Sequence, residues 1–371
     1  MNDAVAPARL PYSDHLVHLL GRSEAAAARI AGADPDRRAP LAAAARREAA
    51  RRSVRLDASP LDDDIADEVD RRLAEGLPAI EDRPGAPVAE TSHGGWGQAL
   101  KLEGMPTHEV AAVEYSNALA AHAAEAELAS RLFARPLEVL GEAHGLLCDG
   151  LVAPEVIGRP RLTEQAMHDG AQGRVLYTAP PPHALPGLLA ALEGWLGEGS
   201  ATLPAVVVAG VVHERLLQWL PYEAANGRLA RLTARLVLRA RGIDPQGIAV
   251  PERGLSDSPL AYYSEVAATI RRRGDLGPWL ERWAEVVCAA LEEAAGQVDP
   301  VPQPVLPARA RTLAETLRAG QEITLTEHST AAGISREVAL AELRQLERAG
   351  ALRAVAGGHG LRWTRSEQTE A

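Results

Sequence analysis

The chain has little lysine, few aromatic residues and few cysteines. Lys101 is its single lysine, so the rest of its 39 Lys and Arg residues are arginine. That bias reads as the codon usage of a GC-rich genome and carries no functional information. Aromatic residues make up 4% of the 371 residues against 46% hydrophobic, so the core must be built from Ala, Leu and Val. Ala and Leu are strong helix formers, which predicts a mainly α protein. Cys148 and Cys288 make no metal-binding pattern and point to a reducing compartment. The start, Met1-Asn2-Asp3-Ala4, lacks the basic-then-apolar pattern of a signal peptide. The longest apolar run, near Leu203 to Val212, is too short to span a bilayer. These absences predict a cytoplasmic protein with no membrane partner. The net charge of -11 argues against a general binder of nucleic acid or acidic membranes, while leaving room for a local basic patch.

What is present is organised in blocks. Arg37 to Arg52 holds Ala and Arg in helical proportions; Ser53 to Asp64 breaks the pattern, and Asp63 to Leu77 reads as another short helix. Glu90 to Gly104 is glycine-rich and reads as a loop. A long helical region follows from Thr107 to about Leu147. Gly158 to Tyr177 reads as a β-hairpin stopped by Ala179-Pro180-Pro181-Pro182, and Ala184 to Leu196 as a helix. Pro204 to Leu220 is apolar nearly all round and should run through the core. Further helices are expected over Gly227 to Arg241, with Gly242 as C-cap, over Tyr262 to Arg273, and over Trp279 to Ala295. Asp299-Pro300-Val301-Pro302-Gln303-Pro304 is a linker. Beyond it, three short helices (Arg309 to Arg318, Thr326 to Ala332, Ser335 to about Ala349) and a hairpin from Ala351 to Thr364 predict a winged helix-turn-helix.

The most informative stretch is Leu220-Pro221-Tyr222-Glu223-Ala224-Ala225-Asn226-Gly227-Arg228-Leu229-Ala230-Arg231. Asn226 and Gly227 are small enough for backbone N–H groups to approach an anion closely. Arg228 and Arg231, three apart, share one helix face. A helix N-terminus carries partial positive charge and free N–H donors. The combination is an anion site on physical grounds. The competing reading pairs Arg228 and Arg231 with carboxylates of the chain itself, such as Asp57.

The same stretch resembles the signature of the Fic family, H-P-F-x-[D/E]-G-N-G-R-x-x-R. Pro221, Asn226, Gly227, Arg228 and Arg231 match; Tyr222 stands for Phe and Ala225 for Gly. Leu220 stands where the family has its catalytic His, and Ala224 where it has the acidic residue that holds the metal. Gly158 to Arg161 with Ala179-Pro180-Pro181-Pro182 is similar to the family's flap, which holds a target's backbone by strand addition. His213 matches a His that often precedes the motif. Ser53 to Ala58 lines up with the inhibitory S-x-x-x-E-G element of some members, with Asp57 for Glu and Ala58 for Gly. The resemblance implies a Fic/Fido helical core with a β-hairpin flap over 105–298. Before it lies an N-terminal helical extension with the inhibitory-like residues Ser53 and Asp57 over 1–104; after it come a linker over 299–307 and the winged helix over 308–371.

The resemblance implies transfer of AMP or another phosphate-containing group to a protein hydroxyl. The departures imply the opposite. Leucine cannot accept a proton, and losing a positioned base costs ~100- to 10,000-fold; alanine cannot ligate a metal. His213 lies two helical turns before Leu220, about 10 Å away, and reads as structural. Glu223 neighbours the missing acid but points elsewhere on the turn. The reading is therefore a degenerate Fic-fold protein without catalytic residues or a metal, acting as a regulator or interaction module. Asn226, Gly227, Arg228 and Arg231 would bind ATP, another nucleotide or a phosphate ligand. An active protein adenylyl- or nucleotidyl-transferase with a non-standard base is the first alternative. A ligand-responsive DNA-binding regulator is the second: past the linker, arginines and glutamates nearly balance, with Arg344, Arg353 and Arg362 the candidate DNA contacts. A protein partner of unknown identity, a second copy of the chain, and DNA are the candidate partners.

Overall fold

In the computed structural model, the described residues are 5–6, 10, 12–80, 89–90, 101–102, 105–168, 174–272, 274–298, 308–318, 321–348, 351–357 and 360–365. The expected linker over 299–307, most of the glycine-rich loop over 90–104, and the tips of both hairpins lie outside them. The chain divides into two compact units, Met1–Asp299 and Pro300–Ala371.

The first unit opens with α1 (Asp14–Gly32), capped by the Ser13 hydroxyl on Leu16 N at 3.1 Å. Next come α2 (Pro35–Leu56) and α3 (Asp63–Ala74). The helical break expected from Ser53 onward does not occur there: α2 runs through Leu56, and Asp57 is its C-cap. Burial is the reason. Ser53, Val54 and Leu56 sit in the interior, and tertiary packing outweighs the modest propensities of Ser and Val. A two-residue ladder of β1 (Ala89–Glu90) and β2 (Lys101–Leu102) follows. The expected continuous helical region from Thr107 is three helices, α4 (Thr107–Ala123), α5 (Glu125–Arg131) and α6 (Pro136–Cys148). Pro136 suits the first turn of α6, where no backbone donor is needed.

The expected hairpin is present but shorter: β3 (Ala166–His168) pairs antiparallel with β4 (Val175–Thr178), Met167 opposite Tyr177. After α7 (Leu185–Gly194) and one π turn, α8 (Ala205–Trp219) crosses the core. Only Gln218 of its side chains escapes full burial, which is why its sequence is apolar all round. Then come α9 (Asn226–Ala240), α10 (Glu252–Ser256), α11 (Pro259–Arg271) and α12 (Gly277–Val298). Gly210 lets α8 approach α12 closely; a Cβ there would come within 2.6 Å of the Trp283 ring. The indoles of Trp279 and Trp283 donate to the carbonyls of Gly210 and Val206 at 2.7 and 3.0 Å. Helix α1 lies parallel to α12, with Arg22 paired to Glu292 at 2.6 Å.

The second unit contains α13 (Ala308–Thr316), β5 (Glu322–Thr324), α14 (Leu325–Ala332), α15 (Arg336–Arg348), β6 (Leu352–Gly357) and β7 (Gly360–Arg365). Strand β7 lies between β5 and β6, antiparallel to both. The edge strand β5 was not expected; three residues are too few to show a period in sequence. The unit closes on Ala310, Leu317, Leu343, Leu346, Leu352 and Trp363. Glu342 on α15 fastens it, accepting from Arg309 at 2.5 Å and meeting the His328 ring at 2.9 Å.

Candidate functional site

Helix α8 ends because Leu220 turns left-handed, at φ 42° and ψ 63°. Helix α9 begins after a second left-handed residue, Ala225, at φ 56°. Both carry a Cβ that this region disfavours, at roughly 1 kcal/mol each. The surroundings hold them there. Asn226 closes the turn on itself: its Oδ1 accepts from Tyr222 N at 2.9 Å, and its Nδ2 donates to Tyr222 O at 2.7 Å. Glu223 accepts from Leu162 N at 2.8 Å and from the Thr163 hydroxyl at 2.6 Å, tying the turn to the chain that leads into β3.

Arg161 is the deepest of these braces. It is 1% exposed. Its guanidinium donates to Leu220 O at 2.6 Å, Trp219 O at 3.2 Å, Thr163 O at 2.5 Å and Pro180 O at 2.6 Å. Burial lowers its pKa. Beneath the turn, the His144 ring stacks on Tyr222 at 4.5 Å. Gly158 N donates to His144 Nδ1 at 3.0 Å, and Cys148 Sγ lies 3.4 Å from Nε2. Burial draws the His144 pKa down to about 4, against a raising hydrogen bond to the Ala224 backbone. Burial also pushes the Cys148 thiol up to about 12. This is a neutral pair in the core, without a nucleophile or an exposed base.

The two arginines face α2 and α4. Arg231 is fully enclosed: its Nε donates to the Ser53 hydroxyl at 2.8 Å, and its Nη2 to Ser53 O and to Asp57 Oδ1, both at 2.7 Å. Its Nη1 donates to the Tyr263 hydroxyl at 3.2 Å. Arg228 donates to Glu114 Oε1 at 2.5 Å and lies 3.6 Å from Asp57 Oδ2. Burial opposes both charges, and the carboxylates overcome it, so both guanidinium pKa values are raised. Gly227 completes the contact: a Cβ there would overlap Asp57 Oδ1. A carboxylate of the chain itself therefore lies against the first turn of α9, where a helix tip favours an anion.

The sequence-derived residues thus come together. Ser53, Asp57, Gly227, Arg228 and Arg231 form one cluster, in the arrangement that pairs the arginines with internal acids. Leu220 and Ala224 are 2% and 6% exposed and carry no polar side chain. His213 lies apart, its Nε2 2.6 Å from the Tyr262 hydroxyl and its ring edge-on to Trp279 and Trp283. Burial, with Arg231 nearby, holds it well below the usual histidine range. Among the described residues no group of three or more His, Cys, Asp or Glu side chains is placed to hold a metal. Sequence reasoning missed Glu114, Arg161 and Tyr263. The signal for Glu114 was there: one charge in the buried run Val110 to Tyr115 of α4.

Comparison with known proteins agrees with this fold. Residues 136–238 match the Fic/DOC family. No curated protein matches the sequence. A Fic family protein from Desulfovibrio desulfuricans G20 superposes with a TM-score of 0.58 at 20% identity, covering 98% of this chain and 100% of that one. Fic-1 from C. elegans superposes with a TM-score of 0.53 at 16% identity, covering 76% of this chain and 72% of that one.

Proposed function

Starting from a Fic-family protein whose family domain spans residues 136–238, we propose that this chain is catalytically impaired and serves as a regulator or interaction module with a closed phosphate grip. The observation that carries this reading is Asp57 Oδ1, 2.7 Å from Arg231 and seated against Gly227. A nucleotide phosphate would need the place this carboxylate holds. Binding therefore requires the last turn of α2 to withdraw, after which Arg228, Arg231 and the α9 N–H groups would take the phosphate.

The chemistry is deficient on the same residues. Leu220 offers no base, and His144 and His213 are both enclosed within the core. The residues present do not fit the family's metal. Ala224 has no ligand atom, and the carboxylate of Glu223 is engaged by Leu162 and Thr163.

The test uses the full chain and ATP. Calorimetry should show that Asp57→Ala gains, with or without magnesium, an ATP-binding event that the wild type lacks and that Arg228→Ala removes. Incubation of the wild type with labelled ATP and cell lysate should leave proteins unmodified. Modification at an ordinary enzymatic rate would overturn the impaired reading, and an Asp57→Ala variant that ignores ATP would overturn the nucleotide grip.

The ligand-responsive DNA-binding reading stands second, favoured by the helix, strand, helix, helix, hairpin order of the second unit. Its charges weigh against it. Arg362 pairs with Glu322 at 2.7 Å and Arg309 with Glu342 at 2.5 Å, while exposed Arg344 shares α15 with exposed Glu337 and Glu347. Retention of the wild type on DNA, lost in Arg344→Glu, would promote this reading over the first.

A further inference from the structure

Helix α2 carries Arg51, Arg52 and Arg55, which line one cavity of about 360 Å³ with Glu48, Leu56, Ser256 and Pro259. We propose that this cavity is a second anion site, taking a small polyphosphate group, distinct from the α9 tip.

The argument rests on charge and on unengaged donors. The lining carries three arginines against one glutamate, in a chain whose net charge is -11. Glu48 is itself engaged, by Arg253 at 2.5 Å and Arg52 at 2.8 Å. Each arginine keeps a terminal amino group that donates no hydrogen bond among the described residues. Arg51 uses Nε on the Tyr115 hydroxyl and Nη2 on Asp67 and Asp70, leaving Nη1. Arg52 uses Nε on Glu48 and Nη1 on the Ser256 hydroxyl, leaving Nη2. Arg55 uses Nε on Leu61 O and Nη2 on Asp63, leaving Nη1.

Asp70, 24% exposed, holds Arg51 firmly, while the other two aspartate pairs are open to solvent: Asp63 and Asp67 are 76% and 70% exposed, so those pairs are screened and weak. A phosphate group presents several oxygens at guanidinium spacing and forms shorter, charge-assisted bonds. The cavity exceeds the space of one water many times over and has room for two linked phosphates. A carboxylate would satisfy one arginine; three arginine side chains gathered within about one turn of α2 suit a polyanion.

Isothermal titration of the full chain with inorganic pyrophosphate at low ionic strength tests the site. We expect saturable binding, weakened about tenfold or more by Arg52→Gln with Arg55→Gln. Ser256→Glu should weaken it comparably and leaves the α2–α3 ion pairs intact, which guards against a loss caused by loosening α2; circular dichroism and thermal midpoints verify that each variant is folded. An ATP arm separates sources: ATP binding with the same dependence assigns the nucleotide polyphosphate, and pyrophosphate binding without it assigns the free anion. Absence of pyrophosphate binding in the wild type overturns the proposal. So does binding that survives both variants, or that is lost only in Arg228→Ala, which would place the anion at the α9 tip.

Discussion

Gly227 and Asp57 are complementary in shape: the missing side chain of one is the seat of the other's carboxylate. The glycine is not required for backbone conformation, since its φ is not in the left-handed region that requires glycine elsewhere in the chain. It is required for clearance.

Gly227→Ala should therefore destabilise the chain by about 1–3 kcal/mol through overpacking. Asp57→Ala alone should cost about 3 kcal/mol, because it leaves Arg231 with Ser53 and Tyr263 only. In the double variant the alanine meets no carboxylate, and helix propensity favours it. Urea denaturation of the four proteins measures the coupling; strictly additive losses would mean the two residues do not share a space.

Restoring the missing groups tests what the turn can still do. At Leu220, φ is 42°, a region histidine visits more readily than leucine, so the backbone does not oppose Leu220→His. With Ala224→Asp and Asp57→Ala, this variant should label itself or lysate proteins from labelled ATP. With Asp57 retained it should stay silent. Equal labelling in both backgrounds would show that Asp57 is no barrier.

Stability should respond to pH through buried groups that oppose one another. Burial raises Glu214 to about 7, against the pull of Arg215. The folded chain then holds an extra proton relative to an ordinary carboxylate, so this contribution is full below about 4.5 and is lost as pH rises to about 7. His144, drawn down to about 4, behaves oppositely: its contribution is full above about 6.5 and is lost as pH falls through about 4. Between about pH 4.5 and 6.5 the Glu214 slope opposes that of His144 and that of His213, which burial also holds low. Glu214→Gln should unmask the histidine slope, so its urea midpoint should rise more steeply than the wild type's over that interval. Parallel curves would remove Glu214 from the account.

Glu342 is the buried acid shared by Arg309 and His328. Glu342→Ala should lose about 2–4 kcal/mol in the second unit. Amide exchange read by mass spectrometry should accelerate in α13 to β7 while α8 and α9 keep their rates. Equal acceleration in α8 would contradict a loss confined to that unit.

Periodicity exposed most of the helices, because burial on one face or all faces leaves a regular apolar mark. The start of α9 was legible from Asn226 to Arg231, while the pairing of Arg231 with Asp57 was one of two readings the sequence left open. Helix α1 was not singled out, since what holds it is α12, more than two hundred residues away along the chain. The last turn of α2 was hidden for a similar reason: Ser53 looks like a helix breaker until Arg231 engages it. Local sequence also says nothing of which acid meets Arg228. Glu114 and Arg228 meet only when α4 packs beside α9.

Arg161 contacts the turn through main-chain oxygens alone. Carbonyl groups are the same whatever residue bears them, so this brace is blind to the side chains at 163, 180, 219 and 220. A histidine or a leucine at position 220 would leave this brace unchanged. The path of the corner is thereby fixed independently of the group it displays.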